Sequence, residues 1–276
     1  MLIFSKVKAR HLFQCEASVC MLRIDFEVLT LQDPQRTSVP ATDSAGKCVV
    51  DQLTFSTTSG DSFGPLCGTE TSNSQHLYLD LGYDSSDSAT IVFSTNTAAP
   101  TSTNSRYWSM LITQIPCTGI NQAKPDTSCR QWLTGITGTV QSFNFANTNS
   151  PQWLEGSYSI CVRREAGYCQ VCYQASSDAN SFQTDSTVAA GTSGTSACAT
   201  TIARVYIPDS NVGGQRTEVT RDVYCGGALL PAYLCSITSN KITVSFVSPP
   251  APVPAGGTGD TMKGFKLLYR QMPCSS

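Results

Sequence analysis

The chain is poor in the residue best suited to acid–base work near neutral pH: among 276 positions there are two histidines, His11 and His76. A histidine-based catalytic centre or a histidine-rich metal site therefore has little to draw on. Charge is scarce as well, with Asp, Glu, Lys and Arg making up 14% and a formal net charge of -2. That balance gives no electrostatic footing for nucleic acid or an anionic membrane surface. No run of 18 apolar residues occurs, so no helical membrane span is expected. Paired C-x-x-C knuckles are missing. The single C-x-x-C, Cys169 to Cys172 in GYCQVCYQ, has no second knuckle or nearby histidine, and it alternates like a strand. No phosphate loop, paired catalytic carboxylates or cofactor motif stands out. The amino terminus, MLIFSKVKAR, has only four apolar residues before its basic ones and no small-residue cleavage site. It does not read as a signal peptide, and a truncated start is expected.

What the chain has in quantity is cysteine. Thirteen cysteines spread over its length fit an oxidising compartment and a disulfide framework. At 276 residues it is long enough for two ordinary domains with their own cores. One short stretch, GDSFGP at 60–65, spells almost like the GDSGGP that carries the nucleophile of trypsin-like serine proteases. Serine needs an imidazole to take its proton and a carboxylate to orient that imidazole. His11 sits in KARHLFQC, not in a TAAHC-like stretch, and only 50 residues lie between it and Ser62. Phe63 replaces a glycine whose backbone lies against the oxyanion site, and 214 residues follow Ser62. Gly, Asp, Ser and Pro here are expected to punctuate a turn leading to Cys67.

A repeat is written in the cysteine spacing. Cys20, Cys48, Cys67 and Cys117 are separated by 28, 19 and 50 residues; Cys169, Cys198, Cys225 and Cys274 by 29, 27 and 49. Cys67 opens CG and Cys225 opens CGG, while ITQIPC and YRQMPC end the two halves. LRIDFEVLTL, HLYLDLG, TIVFS and YWSMLITQI in the first half alternate like strands, as do TGTVQSFNF, YSICVRRE, YCQVCYQ, RVYIP, KITVSF and FKLLYRQ in the second. With turns between them and no convincing amphipathic helix, the expected fold is all-β, two antiparallel sandwiches. SPPAPVPAGGTGD, around 249–260, could pass for a PxxP ligand, but its place between two strands reads as a long connection.

These landmarks resemble the CUB domain. The second half carries the clearest copy: Cys129, YSICVRRE with Cys161, Cys198, YCGG with Cys225, ITVSFVS and GFKLLYRQ. CMLRIDFEVLTL, QHLYLDLG, CRQWLTGITGTVQSFNF and YRQMPC are similar to phrases of arthropod-type extracellular proteins with tandem CUB domains. The resemblance implies two disulfide-stapled jelly-roll domains: 1–117, incomplete at its amino end, a linker at 118–128, and 129–276. It also implies Cys48–Cys67, Cys129–Cys161 and Cys198–Cys225 bridges; the repeat adds Cys20–Cys117 and Cys169–Cys274 by equivalence. Cys172 and Cys235, lacking counterparts, are expected to pair, and Cys15 is left without an assigned partner.

Many CUB domains bind calcium through acidic residues around a C-x-x-D. Cys48-Val-Val-Asp51 keeps that aspartate and Asp43 lies eight residues before it. Thr95 and Asn96, however, stand where a second aspartate is expected. The second copy has Thr201 and Pro249 at these places. Calcium prefers six to eight oxygens with several carboxylates, so no cofactor is expected beyond a weak calcium site from Asp43, Asp51 and Asn96. The plainer reading of Asp51 is a carboxylate accepting backbone N–H bonds. The alternation of QHLYLDLG places His76, Tyr78 and Asp80 on a surface face. Trp108, Trp132 and Trp153 read as core plugs before partner anchors. Arg163, Arg164 and Glu165 read as a small exposed ion pair. The resulting expectation is a secreted, non-catalytic module binding extracellular proteins or glycans, with no nucleic-acid partner. An ancillary CUB segment of a secreted protease and a structural matrix or cuticle component remain the alternatives.

Overall fold

Alternating runs of β-branched, aromatic and aliphatic residues pair throughout as antiparallel strands. The computed structural model describes residues 8–14, 19–35, 46–71, 75–82, 87–96, 106–116, 125–145, 156–178, 181–184, 192–193, 198, 203–212, 222–227, 233–236, 241–248 and 263–274. Among them are twenty strands and no helix, in two compact units, the first of Met1–Gln35 with Lys47–Gln131 and the second of Arg36–Gly46 with Trp132–Ser276. Cys15, Asp43, Cys117, Trp153, Thr201, Pro249 and the proline-rich 249–260 stretch lie outside the described residues.

The first unit is built from β1 (Lys8–Gln14), β2 (Val19–Thr30), β3 (Asp51–Thr57), β4 (Ser62–Leu66), β5 (Thr69–Thr71), β6 (His76–Asp80), β7 (Ser88–Thr95) and β8 (Tyr107–Pro116). One sheet runs β1-β7-β3-β4; in the other, β2 pairs with β5, β6 and β8. Every second residue of a strand points to the same face, so one apolar row per strand suffices to make a core. Leu22, Ile24, Phe26 and Leu29 of β2, Leu53 and Phe55 of β3 and Ile91 and Phe93 of β7 are all buried, at most 2% exposed. Phe26 sets its ring edge-on to Phe55, 6.3 Å between centroids. Each such fully buried side chain contributes about 1.5–3 kcal/mol.

The second unit comprises β9 (Gln131–Leu133), β10 (Thr137–Gln141), β11 (Ser157–Arg163), β12 (Tyr168–Ala175), β13 (Phe182–Gln183), β14 (Thr192–Ser193), β15 (Arg204–Tyr206), β16 (Ser210–Val212), β17 (Val223–Cys225), β18 (Leu234–Ser236), β19 (Lys241–Val247) and β20 (Gly264–Pro273). Its sheets run β10-β20-β12-β18-β16 and β14-β17-β15-β19-β11-β9. Val140, Ile160, Val162, Tyr173, Val205, Val244, Phe246, Phe265 and Leu267 form one continuous core.

The two units share a register. Val19 opposes Pro116 and Tyr168 opposes Pro273; in each case the pairing slips by one residue before resuming at Met21–Ile115 and Gln170–Met272. β1-β7-β3-β4 repeats the neighbour order β11-β19-β15-β17. Arg23 faces Tyr78 across β2 and β6 where Cys172 faces Cys235 across β12 and β18. The first pair is closed by a hydrogen bond from Arg23 Nη1 to the Tyr78 hydroxyl, 3.3 Å, and the second by a disulfide.

Three expectations need correction. His76 and Tyr78 are each 5% exposed, not on a surface face, because both rows of β6 are covered. Arg130 accepts the Tyr78 N–H through its carbonyl, Gln131 donates to Gln75, and Arg23 lies over the Tyr78 ring. Trp108 is no core plug: it stacks on Phe93 at 4.3 Å yet stays 36% exposed. Ser62 opens a strand, with the turn confined to the residues just before it. Arg130 pairs with Asp61 inside the first unit, which runs to Gln131.

Candidate functional site

Asp51 opens β3, three residues after Cys48, inside the segment that the Cys48–Cys67 disulfide closes. Beside that bridge the chain folds into a corner: Gly68 N–H donates to the Gln32 carbonyl and Leu31 N–H to the Gly68 carbonyl. The corner aims the Gln32 N–H at Asp51 Oδ2, 2.9 Å away. On the other side Arg106, the residue before β8, donates Nε to the same oxygen at 2.8 Å and Nη2 to the Asn96 carbonyl at 2.9 Å. Asn96 is held there by its own N–H, which donates to the Val50 carbonyl. The Asp51 side chain is 0% exposed and that of Arg106 24%. Asp51 Oδ1 has no hydrogen-bond partner among the described residues.

Two of the three expected calcium ligands are thus brought together, but around a guanidinium. Asp43 lies outside the described residues. A buried carboxylate demands a counter-charge, and here Arg106 supplies it. Calcium beside this guanidinium would meet a like charge, one carboxylate and one carbonyl already engaged, far from the six to eight oxygens it takes. Among the described residues, this arrangement does not fit the ion. Arg106 itself was not legible as a site residue, although a signal existed: Lys263 precedes Cys274 by the same eleven residues as Arg106 precedes Cys117. Lys263 is buried, at 1% exposure.

Around Ser62 the geometry is that of a hairpin. Asp61 accepts Arg130 Nη2 on Oδ1 at 2.5 Å, and Nη1 on Oδ2 at 2.7 Å, together with the Asp80 N–H at 2.9 Å. Burial opposes ionisation of Asp61, but these donors outweigh it and hold its carboxyl below the usual carboxylate range. Gly64 has φ of 109°, and a Cβ there would lie 2.7 Å from the Leu53 carbonyl oxygen. Gly64 and Asp61 of GDSFGP are thus explained by chain geometry. Ser62 is exposed, its carbonyl accepts from Arg130, and the described His76 side chain is not bonded to its hydroxyl.

Cys169 is bridged to Cys274, Cys172 to Cys235 and Cys198 to Cys225, so the C-x-x-C cysteines serve two separate bridges. Cys20, Cys129 and Cys161 are also disulfide-bonded. Arg163 pairs with Glu165 at 2.9 Å, and the Gly135 N–H donates to the same carboxylate. Among the described residues no group of three His, Cys, Asp or Glu side chains could hold a metal. Equivalent positions on the outer face of both units expose a leucine: Leu111 at 55% and Leu268 at 45%. Tyr107 and Met272 extend the exposed apolar surface on the two strands.

The sequence model of the animal CUB domain matches residues 126–272, more than half of the chain. The chain belongs to the CUB domain family. Among solved structures it is similar to the CUB1-EGF-CUB2 domain of human MASP-1/3, at 14% identity over 97% of this chain and 94% of that one, with a TM-score of 0.29. No match was found among curated proteins. Disulfides, paired antiparallel sheets and the CUB match agree with the sandwich expected from the alternation and cysteine spacing.

Proposed function

We propose that the chain is a non-catalytic extracellular interaction module of two CUB-type units, the first a second copy of the unit matched at 126–272. The CUB match is the observation that carries this reading. The shared register of β2–β8 and β12–β20 supports extending it to the first unit. CUB domains are generally protein-interaction modules, and extracellular proteins or glycans are the partners this reading implies. The recurring exposed leucine, Leu111 and Leu268, supports contact through the outer sheet faces, since exposed apolar side chains at equivalent places can anchor a partner. Arrays of identified extracellular proteins and of glycans, probed with the intact chain, test this. Binding should weaken in Leu111→Asp or Leu268→Asp while the melting temperature holds. A fluorophosphonate probe that labels Ser62 would overturn the non-catalytic reading.

A further inference from the structure

Two of the bridges described above reach the surface, and they differ in what stands beside them. The cysteines of Cys48–Cys67 and Cys198–Cys225 are buried, each at most 3% exposed. Cys169–Cys274 is exposed at both ends, and the residues around it pair as Tyr168↔Pro273 and Gln170↔Met272, without charge. Cys172–Cys235 joins directly opposed residues of β12 and β18. Val171 and Tyr173 point into the core at 0% exposure, so alternation turns Cys172 to the outer sheet face. Cys172 is half-buried there, while Cys235 is 4% exposed. On its other side Cys172 faces Arg270 of β20. Arg270 is exposed and, among the described residues, has no hydrogen-bond or ion-pair partner. Cys235, Cys172 and Arg270 thus form one row across three neighbouring strands.

A disulfide opens when a thiolate attacks one sulfur in line with the sulfur–sulfur bond, and access and nearby charge set the rate. The bridge spans the row, so in-line attack on Cys172 comes from the β20 side, where the guanidinium stands. Attack on Cys235 is obstructed, because that residue is buried and β16 pairs with β18 on its far side. We propose that Cys172 is a thiol–disulfide exchange site for a small thiol that carries carboxylates, steered onto it by Arg270. A bond forms between the incoming sulfur and Cys172 as the Cys172–Cys235 bond breaks. The incoming sulfur is oxidised, and Cys235 is reduced, leaving as a thiolate that takes a proton from water. Arg270 pairs with a carboxylate of the thiol held on Cys172. β18 is three residues long and meets β12 at three positions, so opening the bridge loosens it, and β16 with it, from the sheet. The first unit closes the same place with Arg23 and Tyr78 and needs no bridge there.

The test treats the intact, folded chain with reduced glutathione near neutral pH, traps freed thiols with iodoacetamide, and maps both by mass spectrometry. The first product should carry glutathione on Cys172 and the alkyl group on Cys235. Arg270→Gln should slow its formation about fivefold, the factor that one unit charge gives at close range in water. Arg270→Lys should restore most of the rate. Cysteamine, whose amine is positive, should react no more slowly with Arg270→Gln than with the wild type. Amide hydrogen exchange across Leu234–Ser236 should quicken in the product. The proposal is overturned if Cys169 or Cys274 takes up glutathione first, or if glutathione lands on Cys235. It is equally overturned if Arg270→Gln reacts at the wild-type rate, or slows both thiols alike. Exchange across Leu234–Ser236 that stays as slow in the product as before would also overturn it, because the bridge would then not clamp β18.

Discussion

Replacing Arg106 by methionine removes the only counter-charge, among the described residues, of a carboxylate whose side chain is 0% exposed. Asp51 keeps the Gln32 N–H at 2.9 Å but loses the Arg106 Nε at 2.8 Å, and its Oδ1 has nothing to turn to among the described residues. Breaking a buried pair from one side costs about 3–5 kcal/mol; because Arg106 itself is one-quarter exposed, water can reach the gap and the low end applies, about 3 kcal/mol. For a unit of this size that corresponds to a fall in melting temperature on the order of 10 °C. The double variant Asp51→Asn with Arg106→Met removes both charges and should recover most of the loss, since an ion pair replaced on both sides is often close to neutral. Differential scanning calorimetry, following the first unit's transition with and without calcium, is the assay. Calcium at about 1 mM should leave the wild-type transition in place, because a ligand that does not bind the folded state shifts nothing. If Arg106→Met melts within a degree or two of wild type, the pair does not hold the corner. A calcium-induced rise of several degrees, lost in Asp51→Ala, would show that the guanidinium does not exclude the ion.

Two further outcomes follow from the hairpin that carries Ser62. Asp61 has a carboxyl held below its ordinary range, so its contribution to stability is fully present above about pH 4 and is lost as pH falls through the lowered value. Asp61→Asn should flatten the acid limb of the stability–pH curve measured by urea unfolding; an unchanged limb would mean the Arg130 pairing carries no weight. Gly64→Ala forces a side chain into a left-handed conformation against the Leu53 carbonyl, at 2.7 Å, and should destabilise the first unit by about 1–3 kcal/mol in the same assay. A neutral Gly64→Ala would show that β4 can shift away from β3.

Long alternating strands and the repeat were legible because both are written at short range. VCMLRIDFEVLT, SATIVFST, YCQVCYQA and GFKLLYRQMP alternate over eight or more residues, and the cysteines mark the repeat without reference to packing. β4 was hidden because SFGPL holds a glycine and a proline, which signal turns unless a neighbouring strand requires the conformation. His76 and Tyr78 misled because alternation assumes that one face of a strand meets water. Their second face is closed by Arg23 and by Arg130 and Gln131, more than fifty residues onward for the last two. The Asp51–Arg106 pair was invisible for the same reason: its partners lie 55 residues apart, and a guanidinium before a strand carries no local mark of burial.

The central claim is that the first unit is a second copy of the CUB unit matched at 126–272. Peptide mapping of the intact chain without reduction tests it most directly. The account predicts a peptide pair joining Cys20 to Cys117, matching the Cys169–Cys274 bridge that ties the start of β12 to the residue after β20. A Cys117–Cys129 bridge would contradict it.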